Sequence, residues 1–289
     1  MSSYPSIAPS TWKWAWMFVW IRRQVLLVPE AILLLTLICL HVTLDGPVFT
    51  TLLSPTIAAW FGCRTALILS ARRALQHTRY ARAERLVQLA LWLYPYSADA
   101  MALRGAILMA QGRMAEAEFA LCQAIAFYPG QATLHVARSG ALLEMDRGAE
   151  AYCEATRALL LDPGCAAAYL HLAQAAQQMG EPDEVIETHL RMGLRVTPTP
   201  TDEAALRCTL AAFLVDQHRP AEARLTLAGI EVLLARCAAP QQAGLHYYLG
   251  ELRHTVGDTE AAHHHFRLSE ALDPHGRYAA AAWRAARWS

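Results

Sequence analysis

Three consecutive histidines, His263 to His265, come nearest in type and spacing to a metal site. Imidazole is a common metal ligand, but successive side chains on a helix point about 100° apart, so these three cannot all bind one ion. His246 and His254 lie two turns apart on the preceding helix, where one of them could meet His263 or His264 across a hairpin. We expect solvated or hydrogen-bonded imidazoles and predict no metal site.

Other reactive patterns are scattered or missing from the sequence. The seven cysteines form no C-x-x-C pair and are odd in number, which argues against a disulfide framework or a thiolate metal site. No Gly-rich phosphate loop, G-x-S-x-G, H-E-x-x-H or haem-attachment motif occurs. The sequence therefore predicts neither an enzyme nor a cofactor, and its cysteine usage suits a reducing compartment.

The charge balance argues against a general nucleic-acid binder. Lysine and arginine number 25, aspartate and glutamate also number 25, and the formal net charge is +0. Binding to phosphates requires a basic face, so we predict no nucleic-acid partner.

The stretch from Ala98 to Gln131 has the signals of two helices folded against each other. Ser97 can cap the first helix, Gly112 can adopt the left-handed conformation that ends it, and the second helix ends before Pro129. Small residues that let two helix backbones approach closely stand at Gly105, Ala117 and Ala124. One such hairpin cannot bury its apolar faces alone, so neighbours are expected.

The neighbours recur at a fixed period. Pro95, Pro129 and Pro163 are 34 residues apart, which is the length of one helix–turn–helix repeat. A later stretch ending at Pro274 repeats the layout of the one ending at Pro129. Its matching positions are Gly250, Gly257, Ala262 and Phe266.

In period and small residues the chain resembles the tetratricopeptide repeat family. Arg104 and Arg138 depart from the usual leucine of the first helix. The resemblance implies an all-α solenoid of about six repeats across residues 64–276, with a capping helix at 277–289. The units are expected at 64–97, 98–131, 132–165, 166–199, 204–238 and 243–276.

Residues 1–24 are predicted to contain a Trp-rich interfacial helix. Trp12, Trp16 and Trp20 are spaced by four residues and would share one helix face, with Arg22 and Arg23 nearby. Tryptophan flanked by arginine is typical of a membrane–water interface. The alternative is that these tryptophans belong to an ordinary core.

Residues 25–63 are predicted to form a hydrophobic helical hairpin in a membrane. Val25 to Leu44 would span about 30 Å as a helix, the thickness of a bilayer core, and a second apolar run reaches from Pro47 to Cys63. Arginines flank the hairpin and are missing from its turn, which predicts both ends in the cytoplasm. The flanking arginines expected at the interface include Arg64, Arg72 and Arg73. A single span with the repeats outside, or two helices lying in one leaflet, remain alternatives, whereas a cleaved signal peptide is disfavoured.

The apolar helix is expected to continue through Arg64 into the first repeat. In the family that the chain resembles, the first helices of successive units line a concave groove where partners bind. The resemblance places Met109, Val136, Leu143, Leu170, Gln174, Gln177, Tyr247 and Glu251 in that groove, together with Ala205, Cys208 and Ala212. The groove is expected to suit an amphipathic partner helix, with its side chains outside the contacts between helices. Packing of these side chains on one another is the alternative.

These patterns together predict a non-enzymatic scaffold, an accessory or assembly subunit of a membrane complex. It would contact the bilayer through residues 12–63 and hold a protein partner on the cytoplasmic side of the inner membrane. A soluble co-chaperone-like adaptor and a metal-dependent module that uses the His-rich sixth unit are the alternatives.

Overall fold

The computed structural model describes residues 47–196 and 198–288, together with Thr36 and Cys39. The described residues form α-helices and no strand, which confirms the predicted all-α fold. The predicted interfacial segment 1–24 lies outside the described residues, as does the first predicted span, 25–44, apart from Thr36 and Cys39.

The helices follow one another with short connections. In chain order they are α1 (Pro47–Gln76), α2 (Tyr80–Leu93), α3 (Ala98–Ala110), α4 (Met114–Phe127), α5 (Ala132–Leu143), α6 (Gly148–Leu161), α7 (Ala166–Met179), α8 (Asp183–Arg195), α9 (Pro200–Asp216), α10 (Pro220–Thr226), α11 (Ile230–Leu234), α12 (Ala239–Thr255), α13 (Thr259–Leu272) and α14 (Ala279–Trp288).

Helix pairs are the building units of the molecule. The two helices of each pair pack together, and the first helices α1, α3, α5, α7, α9 and α12 also contact one another in sequence. The third, fourth and sixth pairs are α5–α6, α7–α8 and α12–α13. In the fifth pair the second helix is split into α10 and α11 at Gly229, whose φ is +73°. Since first helices contact first helices, they form the inner, concave face of the array.

The turns inside the pairs form one edge of the array, which we call the turn edge (77–79, 111–113, 144–147, 180–182, 217–219 and 256–258). Each of these turns holds one residue with positive φ. These residues are Thr78, Gly112, Asp146, Gly180, His218 and Gly257, and the first four are 34 residues apart. The next residue donates its backbone N–H to a carbonyl five residues earlier, as Arg113 does to Leu108 at 2.9 Å. This bond satisfies a carbonyl that the ending helix leaves free, so the left-handed residue stops each first helix.

Small residues bring the paired helices close together. A Cβ atom added to Gly105 would lie 2.8 Å from Leu121, and one added to Gly250 would lie 2.6 Å from Phe266. Ala117 is fully buried. A larger side chain at these positions would force the two helices apart.

Helix α1 runs without interruption from Pro47 through Arg64 to Gln76, which confirms the expected continuity. It includes the second predicted span, Pro47 to Cys63. Among the described residues, the structure contains no helix with the length and apolar character needed to cross a membrane.

Residues 273–278, the closing segment, bring the sixth pair back onto the first three. The Tyr80 hydroxyl donates to Asp273, and the backbone N–H of Arg277 donates to the carbonyl of Ala110 at 3.0 Å. The Arg277 guanidinium also pairs with Glu144 at 2.8 Å. Tyr80, Ala110 and Glu144 all lie at or beside the turn edge, so the far end of the sixth pair stacks on that edge. The array therefore makes one tight turn and closes around its concave face.

Candidate functional site

The concave face holds a partly open cavity of about 470 Å³. Its walls come from α3, α5, α7, α9 and α12, the first helices of five pairs, and Arg277 of the closing segment borders it. A second cavity of about 400 Å³ adjoins it. The residues that line both are Met109, Ala205, Leu245, Tyr248 and Arg277. Side chains from α3, α9, α12 and the closing segment therefore lie between the two cavities.

Most of the predicted groove residues are brought together in the larger cavity. The predicted residues that line it are Met109, Leu143, Leu170, Gln174, Gln177 and Glu251, along with Ala205, Cys208 and Ala212. The common spacing of the first helices places these side chains on one face.

Two predicted groove residues lie elsewhere. Tyr247 does not line either cavity, because its ring packs against Phe266 and Tyr278 at centroid distances of 5.7 and 5.0 Å. Its neighbour Tyr248 faces the interior instead. Val136 is half-buried on α5, outside the cavity lining. A register shift of one residue on α12 explains the first of these differences.

The expectation that groove side chains stay outside the contacts between helices is wrong for two leucines. Leu143 is 7% exposed and packs with Ala151 and Ala175, and Leu170 is 8% exposed and packs with Leu206 and other core residues. Both side chains therefore form the cavity floor and part of the core at once. A charge at either position would be buried as well as placed in the cavity.

The charged residues around the larger cavity are mainly acidic. Glu144, Asp216 and Glu251 border it, whereas Arg277 is the basic residue in its lining and is already paired with Glu144. His171 adds no charge near neutral pH, because burial lowers its pKa to about 4. The cavity thus presents an apolar floor and an acidic rim, which favours a cationic group at its mouth.

Cys208 lies in the same wall but is a poor nucleophile. Burial raises the pKa of its thiol to about 12, so the thiolate that nucleophilic chemistry requires is scarce.

An aromatic contact holds the closing segment in place. The Arg277 guanidinium lies 4.3 Å from the centroid of the Tyr278 ring, and the hydroxyls of Tyr248 and Tyr278 are 2.8 Å apart. Gly244 leaves room for this ring, because a Cβ atom there would lie 3.0 Å from Tyr278. Sequence reasoning missed the closing segment, since Arg277 and its partner Glu144 lie in units far apart along the chain and no local pattern connects them.

The contacts between histidines differ from the predicted ones. His246 contacts His265, with 3.0 Å between their Nδ1 atoms, instead of His263 or His264. Both rings are buried between α12 and α13. Within residues 47–196 and 198–288, no group of three or more His, Cys, Asp or Glu side chains is arranged to hold a metal ion.

The predicted membrane-interface residues are described only in part. Trp12, Trp16, Trp20, Arg22 and Arg23 lie outside the described residues. Arg64 is 9% exposed and lies over the rings of Phe61 and Tyr94, at 5.6 and 5.2 Å from their centroids. Arg72 and Arg73 are exposed and lie about two turns further along α1.

Comparison with known proteins identifies the fold. No family model and no curated protein matches this chain. The chain is similar to the solved structure of the APC/C hetero-tetramer Cut9-Hcn1, with 17% identity and a TM-score of 0.56 over 76% of this chain and 41% of that one. It thus spans about two fifths of that chain. It is also similar to TTC0263, a thermophilic TPR protein in Thermus thermophilus, with 18% identity and a TM-score of 0.55 over 64% of this chain and 98% of that one. The fold is therefore of the tetratricopeptide type, as the 34-residue period predicted.

Proposed function

We propose that this protein is a non-enzymatic scaffold that holds a segment of another protein in its central cavity and is tethered to the inner membrane through its N-terminal apolar region. The partner would be a subunit of a membrane complex on the cytoplasmic side. The observation that carries the proposal is the partly open cavity built jointly by five helix pairs. A site assembled from so many units is typical of recognition on the concave face of a repeat array.

The cavity favours a short apolar segment over a long helix. Arg277 crosses from the sixth pair to Ala110 and Glu144 at the turn edge, so a long helix laid along the concave face would have to break these contacts. A volume of about 470 Å³ lies in the range of sites that take one compact group or a few side chains. This refines the partner helix predicted from the sequence to a few residues at the end or in a loop of the partner.

The acidic rim predicts a second property of that segment, a basic residue beside its apolar side chains. Asp216 and Glu251 border the cavity and are both exposed. A segment with apolar side chains and a flanking arginine or lysine would fill the floor and neutralise the rim. Its affinity should therefore weaken moderately as the salt concentration rises, because exposed charges are screened.

The membrane tether is supported by the sequence of the N-terminal region. Val25 to Leu44 has the length of a bilayer core, contains Glu30 as its one charged residue, and precedes α1 in the chain. Arginines lie on both sides of the apolar region and are missing from its turn, which supports the cytoplasmic side for the repeats.

A cavity-filling variant tests the scaffold function. Gln174 is half-buried and lines the larger cavity, so Gln174→Trp would occupy the space that the segment needs. Glu184→Trp is the matched control, because Glu184 is exposed on α8 and away from the cavity lining. After gentle solubilisation of membranes, Gln174→Trp should lose copurifying partners that the wild type and the control retain. If a folded Gln174→Trp protein keeps its full set of partners, the cavity is not the binding site.

A further inference from the structure

Aromatic side chains collect at one edge of the first three helix pairs, opposite the turn edge. This edge, which we call the linker edge, is formed by the connections between pairs at 94–97, 128–131 and 162–165. Rings of Trp60, Tyr94, Tyr96 and Phe127 touch in sequence, with centroid distances of 6.2, 6.0 and 5.1 Å. Together with Phe61 and Trp92, these residues form what we call the aromatic belt.

The belt is turned outward. Trp92 is 79% exposed, Phe61 42%, Tyr96 43% and Phe127 36%. Single exposed apolar residues are ordinary on protein surfaces, but a continuous group of large aromatic rings marks a contact surface. The turn edge of the same pairs is different, because it carries ion pairs such as Arg113 with Glu116 at 2.6 Å and Arg147 with Glu150 at 2.6 Å.

Helix α1 extends beyond the belt. Trp60 is the fourteenth residue of α1, so the helix continues for about 20 Å before it, at 1.5 Å per residue. Residues 47–59 of this extension contain no charged side chain. On the other side of the belt, Arg64 is the first charged residue of α1 and lies over the rings of Phe61 and Tyr94. Apolar helix and aromatic rings thus follow in the order that a bilayer core and its headgroup layer require, with Arg64 packed on the rings and 9% exposed.

We propose that the linker edge of the first three pairs rests on a lipid bilayer, with the aromatic belt at the level of the headgroups and residues 47–59 below it. This inference rests on the membrane tether in the proposed function and adds the direction in which the array stands. The apolar stretch Val25 to Leu44 ends just before α1 begins, so the chain outside the described residues leads from this edge. That continuity favours lipid over a second copy of the chain as the partner of the belt.

In this orientation the arginines predicted at the membrane interface lie at two different distances from the bilayer. Arg64 packs on the belt rings Phe61 and Tyr94, whereas Arg72 and Arg73 lie about 12 to 14 Å further along α1 toward the turn edge. These two side chains therefore face water or a protein partner. The closing segment also stacks on the turn edge, so the central cavity stands away from the lipid surface.

Spin labels on the full-length chain test this orientation. In a background without native cysteines, labels are placed at Trp92→Cys and Phe127→Cys in the belt, with His77→Cys and Glu181→Cys at the turn edge as controls. The protein is reconstituted into vesicles of phosphatidylcholine and phosphatidylglycerol. We expect the belt labels to be more accessible to oxygen, which partitions into lipid, than to a water-soluble nickel chelate, and the control labels to show the reverse.

Each alternative result identifies what fails. If the chain floats with the vesicles but all four labels are open to the nickel chelate, the orientation is wrong and the tether stands. If the chain does not float with the vesicles, the tether and this inference both fail. If the belt labels are shielded from both reagents and remain so in detergent without vesicles, the belt contacts another protein copy and the lipid assignment is overturned.

Discussion

The third and sixth helix pairs place a buried histidine at the same repeat position and give it different partners. In the third pair, Nδ1 of His135 lies 2.6 Å from a carboxylate oxygen of Glu154, which is 19 residues later. In the sixth pair, Nδ1 of His246 lies 3.0 Å from Nδ1 of His265, also 19 residues later. The backbone geometry is shared, so the comparison isolates the chemistry of the partner.

The two contacts differ in the chemistry of the residue that faces the histidine. Glu154 also accepts from Arg138 at 3.1 Å and from Arg157 at 2.9 Å, so the third pair has a buried ionic network. In the sixth pair one imidazole must donate and the other accept, so both rings cannot be protonated without losing the contact. Burial and the neighbouring His246 lower the pKa of His265 to about 4, and burial also lowers the pKa of His246. One repeat position thus places a histidine opposite a carboxylate in one unit and opposite a second imidazole in another.

Removal of Glu154 should have the largest effect. Glu154→Ala takes the buried carboxylate away from Nδ1 of His135 and leaves Arg138 with Glu118 as its acidic partner. The loss should be about 3 kcal/mol, the lower end of the range for removal of one member of a buried ionic contact. His265→Ala removes one neutral hydrogen bond and should cost about 1 kcal/mol from that bond, with a further contribution from the lost ring. Urea unfolding monitored by circular dichroism measures both variants. Equal losses would show that the ionic network adds little to the third pair.

Acid should open the sixth pair before the third. The folded-state pKa of His265, about 4, lies below its ordinary value of 6.5, so the unfolded chain binds more protons between these values. The contribution of His265 to the free energy of unfolding is then fully present above pH 6.5. It falls, on the order of 2 kcal/mol, as the pH approaches 4. Charged groups that also act on the histidine pair are Glu231, Arg253, Asp258 and His264. Hydrogen exchange corrected for intrinsic rates should show faster opening of α12 and α13 at pH 5 than at pH 7, relative to α5 and α6.

The substitution His265→Glu should convert the sixth pair to the third type. A carboxylate opposite His246 favours the protonated imidazole, so the loss of stability between pH 6.5 and 4 should shrink or disappear. Arg138 has no equivalent here, because the matching position is Leu249, so the variant should be no more stable than the wild type at pH 7. Melting curves from pH 4.5 to 7.5 measure this change. An acid sensitivity equal to that of the wild type would contradict the role assigned to the histidine pair.

The turns of the same two pairs should give the smallest effect. Asp146 and Gly257 hold equivalent left-handed positions, with φ of +55° and +83°. Asp146→Gly should stabilise the third pair by less than about 1 kcal/mol, since a left-handed conformation costs a non-glycine residue energy. Gly257→Ala should destabilise the sixth pair by about 1 kcal/mol, and no clash contributes because open space surrounds that position. Opposite shifts in melting temperature for the two variants would confirm that both positions require a left-handed conformation.

Local features of the fold were predictable from the sequence. Ser97 accepts a hydrogen bond from the backbone N–H of Ala100, Gly112 ends α3, and Gly105 admits Leu121, because each depends on residues within one hairpin. The left-handed turns at Thr78, Asp146 and His218 were not predicted. Non-glycine residues seldom adopt positive φ, so only the repeat period points to them.

Features that join distant units were beyond sequence reasoning. Arg138, a departure from the family's usual leucine, pairs with Glu118 at 2.7 Å and with Glu154, which lie in different pairs. The closing segment depends on how far the array twists over six pairs, and no local pattern encodes that angle. Most of the predicted groove positions line the cavity, with Val136 and Tyr247 outside its lining, whereas its closure and its acidic rim follow only from the assembled array.

The closure also changes how the array unfolds and whether its number of repeats can change. An open repeat array frays from its ends, and its length can grow or shrink by whole units because each unit contacts only its neighbours. Here the hydrogen bond between Tyr80 and Asp273 joins residues 193 apart in the chain. Release of either terminal pair breaks contacts at the other, so the two ends should unfold together. Insertion or deletion of one 34-residue unit would move Arg277 away from Ala110 and Glu144, and the number of repeats is therefore fixed by the geometry of the closed turn.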